Sequence, residues 1–322
     1  MSRRTKNWLI AAAVLVAVGL IMVSATVSAV YREYSFEKLN TTQFVTNTYG
    51  ISEKFSRISV DTDTADILIT TAEDGRCSVV CYEPEKLRHT VNVQNGTLTI
   101  KAVDERDWSD HIGMNFTAPK ITVYLPGEEL ASLVVKESTG DIEISNVTAG
   151  TVDLSVSTGD VTVADVVCND LLSHGSTGKV TLRYVTAEES ISIKRSTGDI
   201  EINNVAAGTI DLPVSTSEIT AADVTCKKFL SQGSSGEVTL RCVTAEEKIS
   251  IERSTGDVDL ESSDANEIYV KTSTGDISGS LRSEKIFFAE SSTGEVSVPQ
   301  SMTGGKCELI SSTGDIFFSK NK

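Results

Sequence analysis

Six aspartates return at a fixed beat in this 322-residue chain: Asp141, Asp160, Asp199, Asp257, Asp276 and Asp315. Each follows a glycine (Gly140, Gly159, Gly198, Gly256, Gly275, Gly314) inside a pentapeptide that first reads STGDI. Carboxylates in one column are the raw material of a calcium ladder, as in glycine/aspartate-rich repeat rolls. Calcium takes about six to eight oxygens, however, and one carboxylate per repeat offers too few. The chemistry expected of these residues is turn formation: Asp, Ser and Thr bond nearby backbone while Gly accepts positive φ. In the variant STGKV, Lys179 is seated between Asp160 and Asp199, where it relieves their repulsion.

No other chemistry assembles around this column. The three histidines, His89, His111 and His174, are scattered, and no nucleophile elbow, phosphate loop or zinc spacing occurs. An active site is a local cluster that interrupts a repeat, whereas these acids recur once per unit, so neither catalytic residue nor cofactor is assigned. Of the six cysteines, Cys77 and Cys81 face one way on a strand but stand ~13 Å apart, with no nearby histidine to complete a metal site. Cys168 and Cys226 are 58 residues apart, and no pair shows the 19–20-residue separation that a bridge between neighbouring repeats needs. Free, buried thiols acting as small hydrophobes are expected, with no metal.

The elements behind the motif follow from its spacing. Its serines fall at 138, 157, 176, 196, 215, 234, 254, 273, 292 and 312, and residues 136–193 and 194–251 are near copies, with 252–309 a looser third. A period of about 20 residues means stacked units that bury their faces only against neighbours. After each motif, aliphatics alternate, as in Ile142/Ile144, and a second run follows, as in Val152/Leu154/Val156. This predicts an all-β solenoid of 19–20-residue rungs, at least two strands per rung, with the pentapeptide as its corner. One corner, STSEI, replaces glycine by Ser217, at a cost of order 1 kcal/mol if that position requires positive φ.

Before the solenoid, Arg3, Arg4 and Lys6 precede an uncharged run from Trp8 to Tyr31. The expected organisation is a cytoplasmic tail (1–7), a transmembrane signal anchor (8–30), a polar stalk (31–54) and the solenoid (55–322). Within the last, 55–136 form irregular opening rungs and a cap, and 137–322 the STGD-type repeats. A cleaved signal peptide is the alternative, since Val27-Ser28-Ala29 resembles a cleavage site. Either way the chain is expected at the cell membrane or beyond, with its C-terminal domain outside. The net charge of −16 becomes −19 once those three basic residues are set aside, which excludes nucleic acid as a partner. One aromatic segment breaks the repeat, Asp104–Ala118, whose Trp108, His111, Met114 and Phe116 form either a plug or a recognition loop.

The segments FSRISVDTDTADILIT and PKITVYLPGEELASLVVKESTGDIEI, with the serial STGDI units, resemble the bacterial putative-adhesin family of β-strand-repeat cell-envelope proteins. That group is a domain of unknown function and includes LiaG-like proteins. The resemblance covers 55–319 and implies a β-solenoid-like fold, surface display and, in some members, association with envelope-stress operons. It carries over no catalytic residue. The expected function is a non-enzymatic surface adhesin or interaction module for a glycan, protein or wall polymer. The alternative is an accessory of envelope-stress sensing that contacts a membrane sensor, and a polysaccharide-acting β-helix enzyme ranks third.

Overall fold

The structure, a computed structural model, describes residues 43–105 and 117–320 together with Met22. Apart from Met22, the expected span 8–30 lies outside the described residues, as do Trp108, His111, Met114 and Phe116. Among the described residues no helix is long and apolar enough to cross a membrane.

Among the described residues from 43 onward every regular element is a strand, and these strands belong to one 21-stranded sheet. The opening part comprises β1 (Phe44–Ile51), β2 (Arg57–Thr64), β3 (Asp66–Thr71), β4 (Cys77–Pro84), β5 (Leu87–Gln94), β6 (Thr97–Asp104), β7 (Lys120–Leu125) and β8 (Leu130–Thr139). The regular stack runs through β9 (Ile142–Thr158), β10 (Val161–Thr177), β11 (Val180–Thr197), β12 (Ile200–Thr216), β13 (Ile219–Ser235), β14 (Val238–Arg241), β15 (Thr244–Thr255) and β16 (Val258–Thr274). It closes with β17 (Ile277–Leu281), β18 (Lys285–Ser291), β19 (Val296–Ser297), β20 (Gly305–Thr313) and β21 (Ile316–Lys320).

Each long strand is one bent coil with three inward faces, where the alternating pattern alone predicted at least two. In β9 the buried residues are Ile142 and Ile144, then Val147 and Ala149, then Val152, Leu154 and Val156. Side chains alternate within a strand, so each three-residue step marks a bend at which the inward parity changes. The first bend is a single left-handed residue at a constant place in seven successive coils: Asn146, Asp165, Tyr184, Asn204, Asp223, Cys242 and Ser262, all with φ of 49 to 56°. At the second, the 20-residue coils hold their extra residue, visible as register shifts between Ala187 and Ser190 and between Ala245 and Lys248. The aliphatic columns run uninterrupted, because every coil pairs in parallel with the next.

Both ends depart from sequence order. The rung β2/β3 lies between β6/β7 and β8/β9. At the other end β20/β21 lies between β16/β17 and β18/β19. The first and last rungs of the chain are thus clamped on both edges, and the motif serines at 273, 292 and 312 stack as 273, 312, 292. Antiparallel strands finish the first end, β5 on β6 and β1 on β4, the latter in turn on β7.

The stalk expected over 31–54 needs correcting. Residues 44–51 are β1, fully paired with β4, and Phe44 stacks on Tyr82 at 5.0 Å between ring centroids. As an edge strand β1 buries only part of each side chain, so its mixed sequence FVTNTYGI carries a weak alternating signal. Opening rungs and repeats do form one body. All six cysteines are free; Cys168 and Cys226 occupy a column otherwise filled by Ala149, Ala187, Ala207 and Ala245, three rungs apart.

Candidate functional site: a corner ladder and its groove

At the STGD corner successive backbones come closer than a side chain permits. A Cβ on Gly159 would lie 2.0 Å from the Gly140 carbonyl oxygen, and one on Gly178 1.9 Å from that of Gly159. Both glycines also hold φ in the left-handed half, +150° and +128°, so two independent constraints select glycine. Ser217 answers the same problem differently from the expected strain. Its φ is not positive, and the penalty moves elsewhere: its Oγ is buried without a partner, and the ladder bond beside it is stretched, as follows.

The motif aspartate acts across rungs rather than within its own turn. The glycine N–H donates to the next rung's threonine carbonyl, and the residue after Asp donates to the next rung's Asp carbonyl, as in Gly159 N to Thr177 O and Val161 N to Lys179 O. That leaves the N–H of the Asp position itself, which the previous rung's carboxylate accepts. Asp160 N donates to Asp141 Oδ1 at 2.8 Å, Lys179 N to Asp160 at 2.7 Å, Asp276 N to Asp257 at 2.8 Å, Asp315 N to Asp276 at 2.7 Å and Glu295 N to Asp315 at 2.8 Å. Asp66, on β3, starts the series by accepting from Asp141 N at 3.1 Å, and beside Ser217 the Glu218 N to Asp199 bond lengthens to 3.3 Å. Where Lys179, Glu218 or Glu237 holds the position, no such bond reaches the following rung among the described residues. Lys179 does not serve mainly to separate Asp160 from Asp199: its Nζ lies 2.6 Å from Glu201, which raises the Lys179 pKa and lowers that of Glu201.

The ladder makes a sharp contrast testable. Asp160→Ala is expected to cost about 1–2 kcal/mol, the worth of a charge-assisted bond to an otherwise unpaired N–H. Glu237→Ala, four rungs further along the same exposed column, should stay within about 0.5 kcal/mol. Thermal melts of both variants check this, and equal costs would remove the carboxylate from the account.

Beside the corner runs a groove of about 940 Å³ that spans the rungs from Asp61–Asp63 to Gln232–Ser234. The exposed motif serines Ser138, Ser157, Ser176, Ser196, Ser215 and Ser234 line one side, and Lys136, Ser155, His174, Lys194, Pro213 and Gln232 the other. The column between them reads Glu137, Val156, Gly175, Arg195, Val214, Gly233. Glu137 is buried; it accepts from Thr62 Oγ1 and from the N–H groups of Ser138 and Thr139, and burial raises its pKa despite those bonds.

This middle column gives the 58-residue repeat a physical reason. It runs Val156, Gly175, Arg195 and again Val214, Gly233, Arg253. Each arginine lies over the glycine of the preceding rung: a Cβ on Gly175 would fall 2.4 Å from Arg195 Nη1, and one on Gly233 3.0 Å from Arg253 Nη1. Arg195 is 1% exposed. Its Nη2 donates to Ser173 Oγ at 3.0 Å and its Nη1 to the Lys194 carbonyl at 3.3 Å, while Nε has no partner. Arg253 repeats the arrangement with Ser231 and Glu252. Neither guanidinium meets a carboxylate among the described residues, and burial pushes both down to about 10. The sequence signal for them was present, because alternation from Ile191 and Ile193 points Arg195 inward, but a basic residue reads by default as exposed.

The aromatic segment Asp104–Ala118 follows β6 and precedes β7 in the chain, and its residues 106–116 lie outside the described residues; just after it, Pro119 O accepts from Asp66 N at 2.8 Å.

A parallel coil with a glycine/carboxylate corner in most of its rungs defines a β-strand-repeat solenoid. Residues 55–190 and 184–322 match the family model Toastrack DUF4097, and the chain belongs to that family, a bacterial domain of unknown function. Among solved structures it is similar to a putative adhesin from Bacteroides fragilis, at 17% identity over 87% of this chain and 99% of that one, with a TM-score of 0.42. It is also similar to a putative lipid binding protein from Parabacteroides distasonis, at 18% identity over 74% of this chain and 95% of the other, with a TM-score of 0.41. No curated protein matches.

Proposed function

We propose that this protein is a non-enzymatic interaction module of the bacterial cell surface, held at the membrane by residues 8–30, that lays an extended, hydroxyl-rich polymer along the serine groove. The observation that carries this reading is the groove itself: one exposed serine per rung, about 4.8 Å apart, facing a row that includes Lys136, His174, Lys194 and Gln232. A ladder of equal hydroxyls suits a ligand that is itself a repeat. Among the described residues no Phe, Tyr or Trp lines the groove, so each rung contributes a modest hydrogen-bonding contact, and affinity comes from many rungs engaged at once. A glycan or wall polysaccharide fits this pattern better than a folded protein, which binds through a few desolvated anchors. The segment carrying Trp108 and Phe116, between β6 and β7 in the chain, is the second candidate, since its aromatic residues are of the kind that form such anchors.

Retention of the full-length chain on insoluble cell-wall polysaccharide tests the reading. Ser176→Tyr and Lys194→Glu in the groove are expected to reduce retention about tenfold, and Thr186→Tyr, exposed on another face, to leave it unchanged. Retention that survives both groove variants but disappears in Trp108→Ala would move the site to the aromatic segment. No retention at all, together with crosslinking to a membrane sensor, would favour the accessory of envelope-stress sensing.

A further inference from the structure

At the N-terminal end the interior stops being aliphatic. β4 turns Val79, Cys81 and Glu83 inward, and β5 turns His89 inward. The two strands do not pair: β4 lies between β1 and β7, and β5 lies on β6, so these side chains meet across the core. A thiol sulfur, a carboxylate oxygen and an imidazole nitrogen from Cys81, Glu83 and His89 lie within 4.8 Å of one another. Their residues are 0%, 0% and 3% exposed. The statement that no histidine accompanies Cys81 holds along the sequence but not in space.

We infer that Cys81, Glu83 and His89 form a structural site for one divalent transition-metal ion of the zinc type, closing the N-terminal end of the solenoid. The donor set is the first argument. Sulfur, nitrogen and oxygen together suit zinc or cobalt, whereas calcium and magnesium demand oxygen throughout. Zinc bonds of about 2.0–2.3 Å set ligand atoms roughly 3.3–3.8 Å apart, so an ion parts His89 Nδ1 from Glu83 Oε2, now 2.7 Å from each other, within a cluster whose ligand atoms already lie within 4.8 Å. The second argument is charge. A thiolate, a carboxylate and a neutral imidazole balance a divalent ion, while the metal-free cluster keeps a carboxylate buried with only an imidazole for a counter-charge, an arrangement that is expensive in a core. Binding releases the thiol proton, and that of the imidazole where it is charged, to solvent.

The third argument is orientation. Asn47 Nδ2 donates to Glu83 Oε1 at 2.6 Å, the His89 N–H donates to Oε2 at 2.7 Å, and Tyr49 OH donates to the His89 carbonyl at 3.2 Å. These partners hold the carboxylate and the histidine backbone from outside the cluster, as outer-shell groups do around a metal. His89 Nδ1 lies 2.7 Å from Oε2, so the same atoms also describe the rival, a hydrogen-bonded Glu–His pair with no ion. Solenoids need closed ends, and an ion held by β4 and β5 ties together two strands that follow one another in the chain but do not pair with each other.

The test uses the full-length chain, stripped with chelator and titrated with cobalt(II). One equivalent should bind and give a thiolate-to-cobalt charge-transfer band in the near ultraviolet, displaced by zinc. The band should vanish in Cys81→Ser and in His89→Gln but persist in Cys77→Ser, whose thiol stands on the same strand outside the cluster. Zinc should raise the melting temperature of the wild type by about 5 °C or more and leave that of Cys81→Ser unchanged. A wild-type protein that takes up neither ion and shows no melting shift overturns the proposal and leaves the hydrogen-bonded pair. That measurement needs no variant, so a misfolded Cys81→Ser cannot obscure it, and the result is independent of the serine groove.

Discussion

Gly178→Ala is expected to lower stability by about 2–4 kcal/mol, which in a chain of this size depresses the melting temperature by roughly 5–15 °C. The added methyl would sit 1.9 Å from the Gly159 carbonyl oxygen and 2.5 Å from its carbon. These are backbone atoms with rungs stacked on both sides, so no side-chain rotation relieves the contact. Displacing the corner weakens two bonds at once, Gly178 N to Thr197 O and Lys179 N to Asp160 Oδ1. The escape open to the chain is the one seen at Ser217, where φ leaves the left-handed region and the neighbouring ladder bond lengthens to 3.3 Å. That route sets the lower end of the range. Gly50→Ala is the control: it lies in β1, has ordinary φ and no heavy atom within 4 Å of the added carbon, so it should change stability by less than about 0.5 kcal/mol. Thermal unfolding of the two variants decides, and equal effects would mean that the corner is not sterically fixed.

The same corner shows what the sequence makes legible and what it hides. The pentapeptide, its 19–20-residue period and the aliphatic alternation identify the rung because each is local to one unit. Cys168 and Cys226 could be read as small buried hydrophobes, but that their column is otherwise alanine shows only in the stack. The order of rungs at the two ends was not. Any rung pairs acceptably with any other, so periodicity identifies the unit without naming its neighbour, and the contact of Asp315 with Asp276, 39 residues away, looks no different in sequence from one at 20. The left-handed bend was hidden because its position accepts Asn, Asp, Tyr, Cys or Ser, each tolerating φ near 55° without leaving a motif. Most of the candidate site shared that fate. The serines were read as part of the turn, whereas each stands at the end of a strand just before it, as Ser138 does in β8 and Ser157 in β9; only the stacking places six of them along one groove, and only the packing of Gly175 against Arg195 explains why three rungs, rather than one, make the larger repeat.

That packing leads to the last prediction, in which a variant gains stability. Arg195 holds a guanidinium in the core with no carboxylate partner and one N–H unpaired, and replacing such a charge by an apolar group of similar length is commonly neutral or stabilising. Arg195→Met alone would strand the buried Ser173 hydroxyl, so the informative variant is Arg195→Met with Ser173→Ala, expected to gain about 1–3 kcal/mol at neutral pH. Arg195→Ala should lose stability instead, because it leaves a void above Gly175. The sign of the pH dependence is fixed by the direction of the shift. With its folded pKa lowered to about 10 from 12.5, the arginine penalises the native state fully below that value, and the penalty is relieved as pH rises through it. The double variant's advantage over the wild type should therefore be largest near neutrality and shrink above about pH 10. Denaturant melts across that range check the trend, and an advantage that grows with pH would contradict the buried-charge account. If the groove holds a polymer, the more stable double variant should also be retained less well on cell-wall polysaccharide, since Arg195 is the one guanidinium in the groove's central column. Stability gained with binding unchanged would instead assign both arginines to the spacing of the rungs alone.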